Sequence, residues 1–304
     1  MATRFDIQVW LLGRVAIAPL ITLRILFSVI LLFSLLRFWW LGWIEAQYIE
    51  PSLQFKYFGF HWVQHPGEWG IYALFVAAGI GALGMALGLF YRCSAVLFFL
   101  SFTYIELIDA TYYLNHYYFV SCMALLMIFL PMHRAHALDV LRMKRQSERF
   151  TSRINVLLPM CLIGIVYGYA GLAKLNADWL FEAMPLAIWL PANDHLPLIG
   201  PLLSYKATAY VFSWGGAAYD LSIPFLLIWN RTRSMAYAAV VLFHLLTWLM
   251  FPIGMFPFIM IGATLTFFPA SWHERIQARF GMQTNSAVEK ALMPAKFHAM
   301  HWMA

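Results

Sequence analysis

The chain of 304 residues places a small set of proton-handling side chains inside or beside apolar stretches. Lys174 follows the apolar end of YGYAGLAKLNADWL (167–180), with Asn176 and Asp178 directly after it. Asp109 and the Asn115-His116 pair lie in LIDATYYLNHYYF (107–119), Asp220 in SWGGAAYDLS (213–222) and His244 in FHLLTWLM (243–250). A neutral amine, an imidazole or a carboxylate held close to a reacting group can accept or return a proton. Each residue also has a purely structural reading. Lys174 could snorkel to a membrane surface, Asp220 could pair with a neighbouring helix for stability, and either histidine could be a hydrogen-bonded packing residue. Gly168, Ala170, Gly171 and Ala173 beside the lysine favour close helix approach, which would take the amine out of water.

Other chemistries find less support. His116 and His244 fall on separate apolar stretches, without a second ligand at metal-binding spacing, so no metal is expected. His133 and His136 belong to a basic segment, and His298 and His301 to the C-terminal tail. Cys93, Cys122 and Cys161 show no CxxC spacing, and neither a disulfide framework nor a thiolate site follows from them. The sequence has no Walker motif and no GxSxG. The glycines of GIGALGMALG (79–88) sit in an uninterrupted apolar run and read as helix-packing glycines.

The elements that must position these groups are membrane helices. Hydrophobic residues make up 62% of the chain and charged residues 11%, against about 25% charged in a typical soluble protein. Apolar windows near 15–40, 69–91, 93–108, 114–131, 154–173, 208–229, 234–250 and 253–268 predict an all-α fold. It is a polytopic membrane helical bundle with about eight transmembrane helices. The first window is too long for a signal-peptide core and is read as a retained helix. Arg134, Arg142, Lys144, Arg145, Arg149 and Arg153 mark 132–153 as a cytoplasmic loop. Counting outward puts both termini in the cytoplasm, with Arg4, Arg14, Arg275, Arg279, Lys290 and Lys296. The outer segments carry only Lys56, Lys174 and Lys206. The net charge of +6 is therefore topogenic, and no nucleic-acid partner is expected. On this topology the proton-handling residues gather in the extracytoplasmic half of the membrane. FWWLGW (38–43) and FKYFGFHW (55–62) read as an interfacial aromatic belt, or as the mouth of a pocket. After residue 268 a short cytoplasmic tail (269–304) is expected, with a surface helix through Trp272, Ile276 and Phe280.

Five blocks in order carry a family likeness: GALGMALGLFYRCSAVLFFL (81–100), LIDATYYLNHYYF (107–119), YGYAGLAKLNADWL (167–180), WGGAAYDLS (214–222) and FHLLTWLMFPIGMF (243–256). Over 1–268 the chain resembles the membrane part, or HTTM domain, of the vitamin K-dependent γ-glutamyl carboxylase family. The resemblance implies a quinol-dependent carboxylase and epoxidase acting on glutamyl residues. Lys174 would be the base toward the quinol, His116 would serve the carboxylation step, and His244 matches the family's histidine in the FH segment. Asn115, Asp109, Asp220, Trp214 and Trp179 are expected to line the cofactor site. The implied co-substrates are reduced vitamin K or a menaquinol-like quinol, with O2 and CO2. The partners would be membrane lipid, the isoprenoid quinol and a glutamyl peptide or protein. Ala173 stands where the family has a second lysine and Asn176 where it has an aspartate, which alters the electrostatics around Lys174. The family's large lumenal domain has no counterpart in 269–304. The same scaffold would also suit another quinone-linked oxidoreductase, a lipid-modifying enzyme or a non-catalytic membrane module. The last reading turns Lys174 toward lipid headgroups; the first turns it into the bundle.

Overall fold

The computed structural model describes residues 6–282; Arg4, Lys290, Lys296, His298, His301 and the end of the tail expected at 269–304 lie outside the described residues. The chain forms α1 (Ile7–Leu12), β1 (Arg14–Ala16), α2 (Ala18–Trp40), α3 (Glu68–Leu87), α4 (Tyr91–Ile108), α5 (Asn115–Phe129), α6 (Leu138–Arg142), β2 (Phe150–Ser152) and α7 (Arg153–Ala173). It continues as α8 (Ala177–Phe181), α9 (Leu186–Trp189), α10 (Gly200–Leu203), α11 (Lys206–Ile228), α12 (Arg233–Met250), α13 (Phe256–Thr264) and α14 (Ala270–Arg279). Among the described residues, 6 helices are long and apolar enough to cross a membrane: α2, α3, α4, α7, α11 and α12. Two shorter apolar helices, α5 and α13 with its extension to Phe267, account for the other apolar windows. The fold is a helical membrane bundle. It divides into two compact units, residues up to Pro159 with those from Phe258 onward, and Met160–Pro257.

In the first unit the glycines of α3 set the packing. A Cβ on Gly81 would stand 2.7 Å from the backbone N of Phe98, and one on Gly84 only 2.2 Å from the Ser94 hydroxyl. No larger side chain fits without separating α3 from α4. Gly88 closes α3 in the left-handed region at φ +63°, where a Cβ would also strike Ala137. The first two amides at the head of α4, Phe90 and Tyr91, each donate to Asp139 at 2.9 Å. Burial raises the Asp139 pKa, but these amides and Arg142 outweigh it and hold the carboxyl below its ordinary value. Arg24, fully buried on α2, donates to the carbonyls of Met132 at 2.6 Å and Ala135 at 3.3 Å, and also to that of His136. The basic segment 132–153 is thus bound to the head of α4 through its own Asp139 and to α2 through Arg24.

Three details differ from the sequence expectation. The first span begins at Ala18, because Arg14–Ala16 pairs antiparallel with Phe150–Ser152, in the register Arg14 to Ser152 and Ala16 to Phe150. A three-residue ribbon has no periodicity to read. The last apolar helix begins at Phe256 rather than 253: Gly254 takes φ +62° between Pro252 and Pro257, which breaks the helical path. The tail helix forms, but His273 and Gln277 are its buried residues. Gln277 donates to Ala18 O at 2.8 Å. His273 Nε2 donates to Leu265 O at 3.0 Å and Nδ1 meets the Thr22 hydroxyl at 2.9 Å. Burial pushes the His273 pKa down to about 4, so the ring is held neutral.

In the second unit the segment 174–207 is built of short helices rather than open loop. Ala183, Leu186, Leu190 and Leu203 pack with Ala209 of α11 and Met250 of α12. Farther along α11, Gly171 of α7 lets the two helices touch, since a Cβ there would lie 2.7 Å from the Leu221 side chain.

Candidate active site

Lys174 occupies the turn between α7 and α8, and Asn176 shapes that turn from both sides. Its Nδ2 donates to Ala173 O at 2.8 Å, and its Oδ1 accepts the Trp179 amide at 2.9 Å. The same residue therefore closes one helix and caps the next. Helix α8 is then bound along α11. Trp179 Nε1 donates to Ser213 O at 2.8 Å, and the buried Ser213 hydroxyl returns a bond to Trp179 O. Trp214 Nε1 reaches Leu180 O at 2.7 Å, and Tyr210 OH reaches Phe181 O at 2.6 Å.

This clamp directs Lys174 into the unit. Its Nζ lies 2.6 Å from Asp220 Oδ2 and 3.1 Å from Ala170 O. The ammonium also stands 5.1 Å from the centroid of the Trp179 ring. The side chains of the pair are 19% and 5% exposed for lysine and aspartate respectively.

An aromatic cluster adjoins the pair through Tyr219, the residue before Asp220. Tyr219 stacks on Phe243 at 4.2 Å, and its hydroxyl is 3.5 Å from that of Tyr167, seven residues before Lys174 on α7. Tyr167 meets the His244 ring edge-on at 6.2 Å, and Phe256 lies beyond it at 6.4 Å. His244 is buried, and its Nδ1 donates to Val240 O at 2.9 Å. In a neutral ring that bond leaves Nε2 as the nitrogen carrying the lone pair.

The second unit thus brings Lys174, Asp220 and Trp179 into direct contact and joins His244 to them through Tyr167 and Tyr219. Trp214 belongs to the clamp through its bond to Leu180 O and is otherwise exposed. The remaining expected site residues belong to the first unit. Asp109 is buried and accepts from Phe55 N at 3.2 Å and from the Thr111 amide and hydroxyl, both at 2.9 Å. That carboxylate ties 55 to the end of α4. Asn115 is exposed at the start of α5, and the partly buried His116 ring stands edge-on to Tyr117 at 4.7 Å. Sequence reasoning missed Tyr167, Tyr219 and Ser213. Tyr167 and Ser213 had helical spacing as a signal, each seven residues before Lys174 and Asp220 respectively, whereas Tyr219 merely adjoins Asp220 in sequence.

A cleft of about 470 Å³ opens in the same unit, lined by Phe181, Glu182, Leu203, Tyr205, Lys206 and Tyr210 among others. Tyr210 precedes Asp220 by ten residues, which is roughly 15 Å along a helix. The cleft is a feature of the start of α11, and neither Lys174 nor Asp220 lines it.

Residues 14–272 match the HTTM domain, the membrane domain of the vitamin K-dependent carboxylase family. No solved structure matches the chain. The matched range takes in all eight apolar helices and the Lys174–Asp220 pair. This multi-pass helical membrane protein belongs to the HTTM domain family.

Proposed function

We propose that the protein is a quinol-dependent membrane enzyme in which the Lys174–Asp220 pair accepts the quinol's proton, and that it carboxylates glutamyl residues. The observation that carries this reading is the contact of 2.6 Å between Lys174 Nζ and Asp220 Oδ2 inside the second unit. A lysine serving as a headgroup anchor would leave its amine at the surface, without a buried acid as partner. The family match supports the reaction class, and the aromatic cluster around Tyr219 offers ring faces suited to a quinol head.

The pair can act as one base. Transfer of the ammonium proton from Nζ to Oδ2 leaves a neutral amine and a neutral carboxylic acid, a state that an apolar setting favours over two charges. The amine can then take a proton from a substrate hydroxyl within hydrogen-bond reach. The net result is one proton moved from substrate to Asp220, with Lys174 again an ammonium. A quinol, when bound and oxidised by O2, supplies the driving force to remove the weakly acidic glutamyl γ-hydrogen, and the carbanion adds CO2. His244 Nε2 is available as a second acceptor, and His116 takes the role in the carboxylation step that the family resemblance assigns it. Exclusion of water protects the strong base and the carbanion alike, and the apolar helices provide that exclusion. The active side is the extracytoplasmic half of the membrane, as the loop charges imply.

The test is purified protein in lipid, given reduced vitamin K, O2, labelled CO2 and a glutamyl peptide. Epoxide and labelled peptide should form together, and both should vanish in Lys174→Ala. Quinol oxidation without epoxide or label would favour the quinone-linked oxidoreductase instead. A protein that neither oxidises nor binds the quinol would end the proposal.

A further inference from the structure

One carboxyl within the apolar helices has no part in the scheme above. Glu106 sits near the end of α4, partly buried. Its Oε2 accepts a hydrogen bond from the Ser121 hydroxyl of α5, and Ser121 in turn accepts from Thr103 Oγ1 at 3.1 Å. Glu106 also lines a pocket of about 40 Å³ with Ser34, Phe38, Tyr48, Phe75 and Tyr117. A space of that size holds about one or two water molecules.

The groups that face the carboxyl are neutral. Ser34 comes from α2, Tyr48 from the turn after it, Thr103 from α4, and Tyr117 and Ser121 from α5. The cations on adjoining segments are turned to other partners. Arg37 lies over the Trp43 ring at 4.7 Å, and Lys56 Nζ donates to Ile108 O at 2.9 Å. The nearby Asp109 is occupied by Phe55 and Thr111. A carboxylate in such a setting would be an uncompensated charge among aromatic rings, which costs several kcal/mol or more; taking up a proton removes that cost. A sodium ion would restore neutrality too, and the experiment below distinguishes it from a proton.

We infer that Glu106 is an intramembrane proton-binding site, a neutral carboxylic acid that exchanges its proton through the small pocket beside it. It is separate from the Lys174–Asp220 pair and does not depend on the reaction proposed for that pair. Its one donated hydrogen bond, from Ser121, stabilises the ionised form and so tunes how firmly the proton is held.

Infrared spectroscopy of the purified protein tests this directly. At neutral pH the difference between wild type and Glu106→Gln should contain a C=O stretching band of a protonated carboxylic acid. That band should move on transfer to D2O, because the proton exchanges. In Ser121→Ala the band should shift to higher frequency and persist to higher pH, since the ionised form has lost its donor. This second variant keeps the test decisive if Glu106→Gln does not fold. Carboxylate bands in place of the acid band, an acid band that ignores D2O, or no response to Ser121→Ala would each overturn the inference. A carboxylate band that appears only with added sodium chloride would overturn it in favour of a cation site.

Discussion

Arg24, inside apolar α2, and Lys174, in the turn that follows apolar α7, are both cations, and their charges are met in opposite ways. Arg24 in the first unit donates to the carbonyls of Met132, Ala135 and His136. Those acceptors cannot take its proton, and a guanidinium does not release one. Lys174 in the second unit meets a carboxylate that can. The first arrangement fixes a segment of chain; in the reaction proposed above, the second holds the proton that is passed on. On that proposal the kind of partner, rather than burial itself, separates a structural cation from a reactive one.

The comparison can be broken in several ways. Lys174→Ala should reduce quinol epoxidation by about 10²–10⁴-fold, the usual worth of a positioned base, while the helical circular dichroism is retained. A wild-type rate would make Lys174 a structural cation like Arg24. Arg24→Met should do the reverse, lowering unfolding stability because the carbonyls of Met132, Ala135 and His136 lose their donor, at about 1–3 kcal/mol for each buried acceptor left unpaired. A thermal melt in detergent reads this, and an unchanged midpoint would contradict the role given to the three carbonyls.

Smaller changes sharpen the contrast. Gly171→Val should cost about 1–3 kcal/mol by overpacking against Leu221, and it should reduce activity by loosening the contact between Lys174 and Asp220. Stability lost with activity intact would detach the pair from the reaction. Asn176→Ala removes the cap of α8 and should cost about 1 kcal/mol, measured by the same melt.

The smallest effect concerns α14. The folded-state pKa of His273 is lowered from 6.5 to about 4, so its contribution is intact above 6.5 and is lost as pH falls toward 4. Hydrogen exchange in α14 should therefore accelerate over that window. The acceleration should be absent in His273→Gln.

What could be read from the sequence follows the range of each force. The eight apolar helices were legible because each is a local apolar run, about twenty residues long in the six that can cross a membrane. The packing role of Gly81 and Gly84 was legible for the same reason, from small residues spaced along one run. Lys174, Asp220, Trp179 and His244 were singled out individually, but nothing local distinguishes an aspartate that pairs with a lysine 46 residues away from one that packs alone. Arg24 went unnoticed because its partners lie 108 to 112 residues further on. Glu106 was missed as a single acid in an apolar run, since the Ser121 that marks it lies on the next helix. The ribbon at Arg14–Ala16 depends on Phe150–Ser152 and is too short to announce itself.

The clamp between α8 and α11 has a consequence for rate. A lysine stem free in solvent carries about 2 kcal/mol of rotamer entropy, and a reaction that needs one orientation must first remove it. Here Asn176, the reciprocal Trp179 and Ser213 bonds, and Trp214 hold the backbone around Lys174. Its amine is held between Ala170 and Asp220. That disorder is lost once, during folding, rather than at every turnover. The substrate of the proposed reaction would then meet an acceptor already in position, with its binding energy left to align the substrate itself.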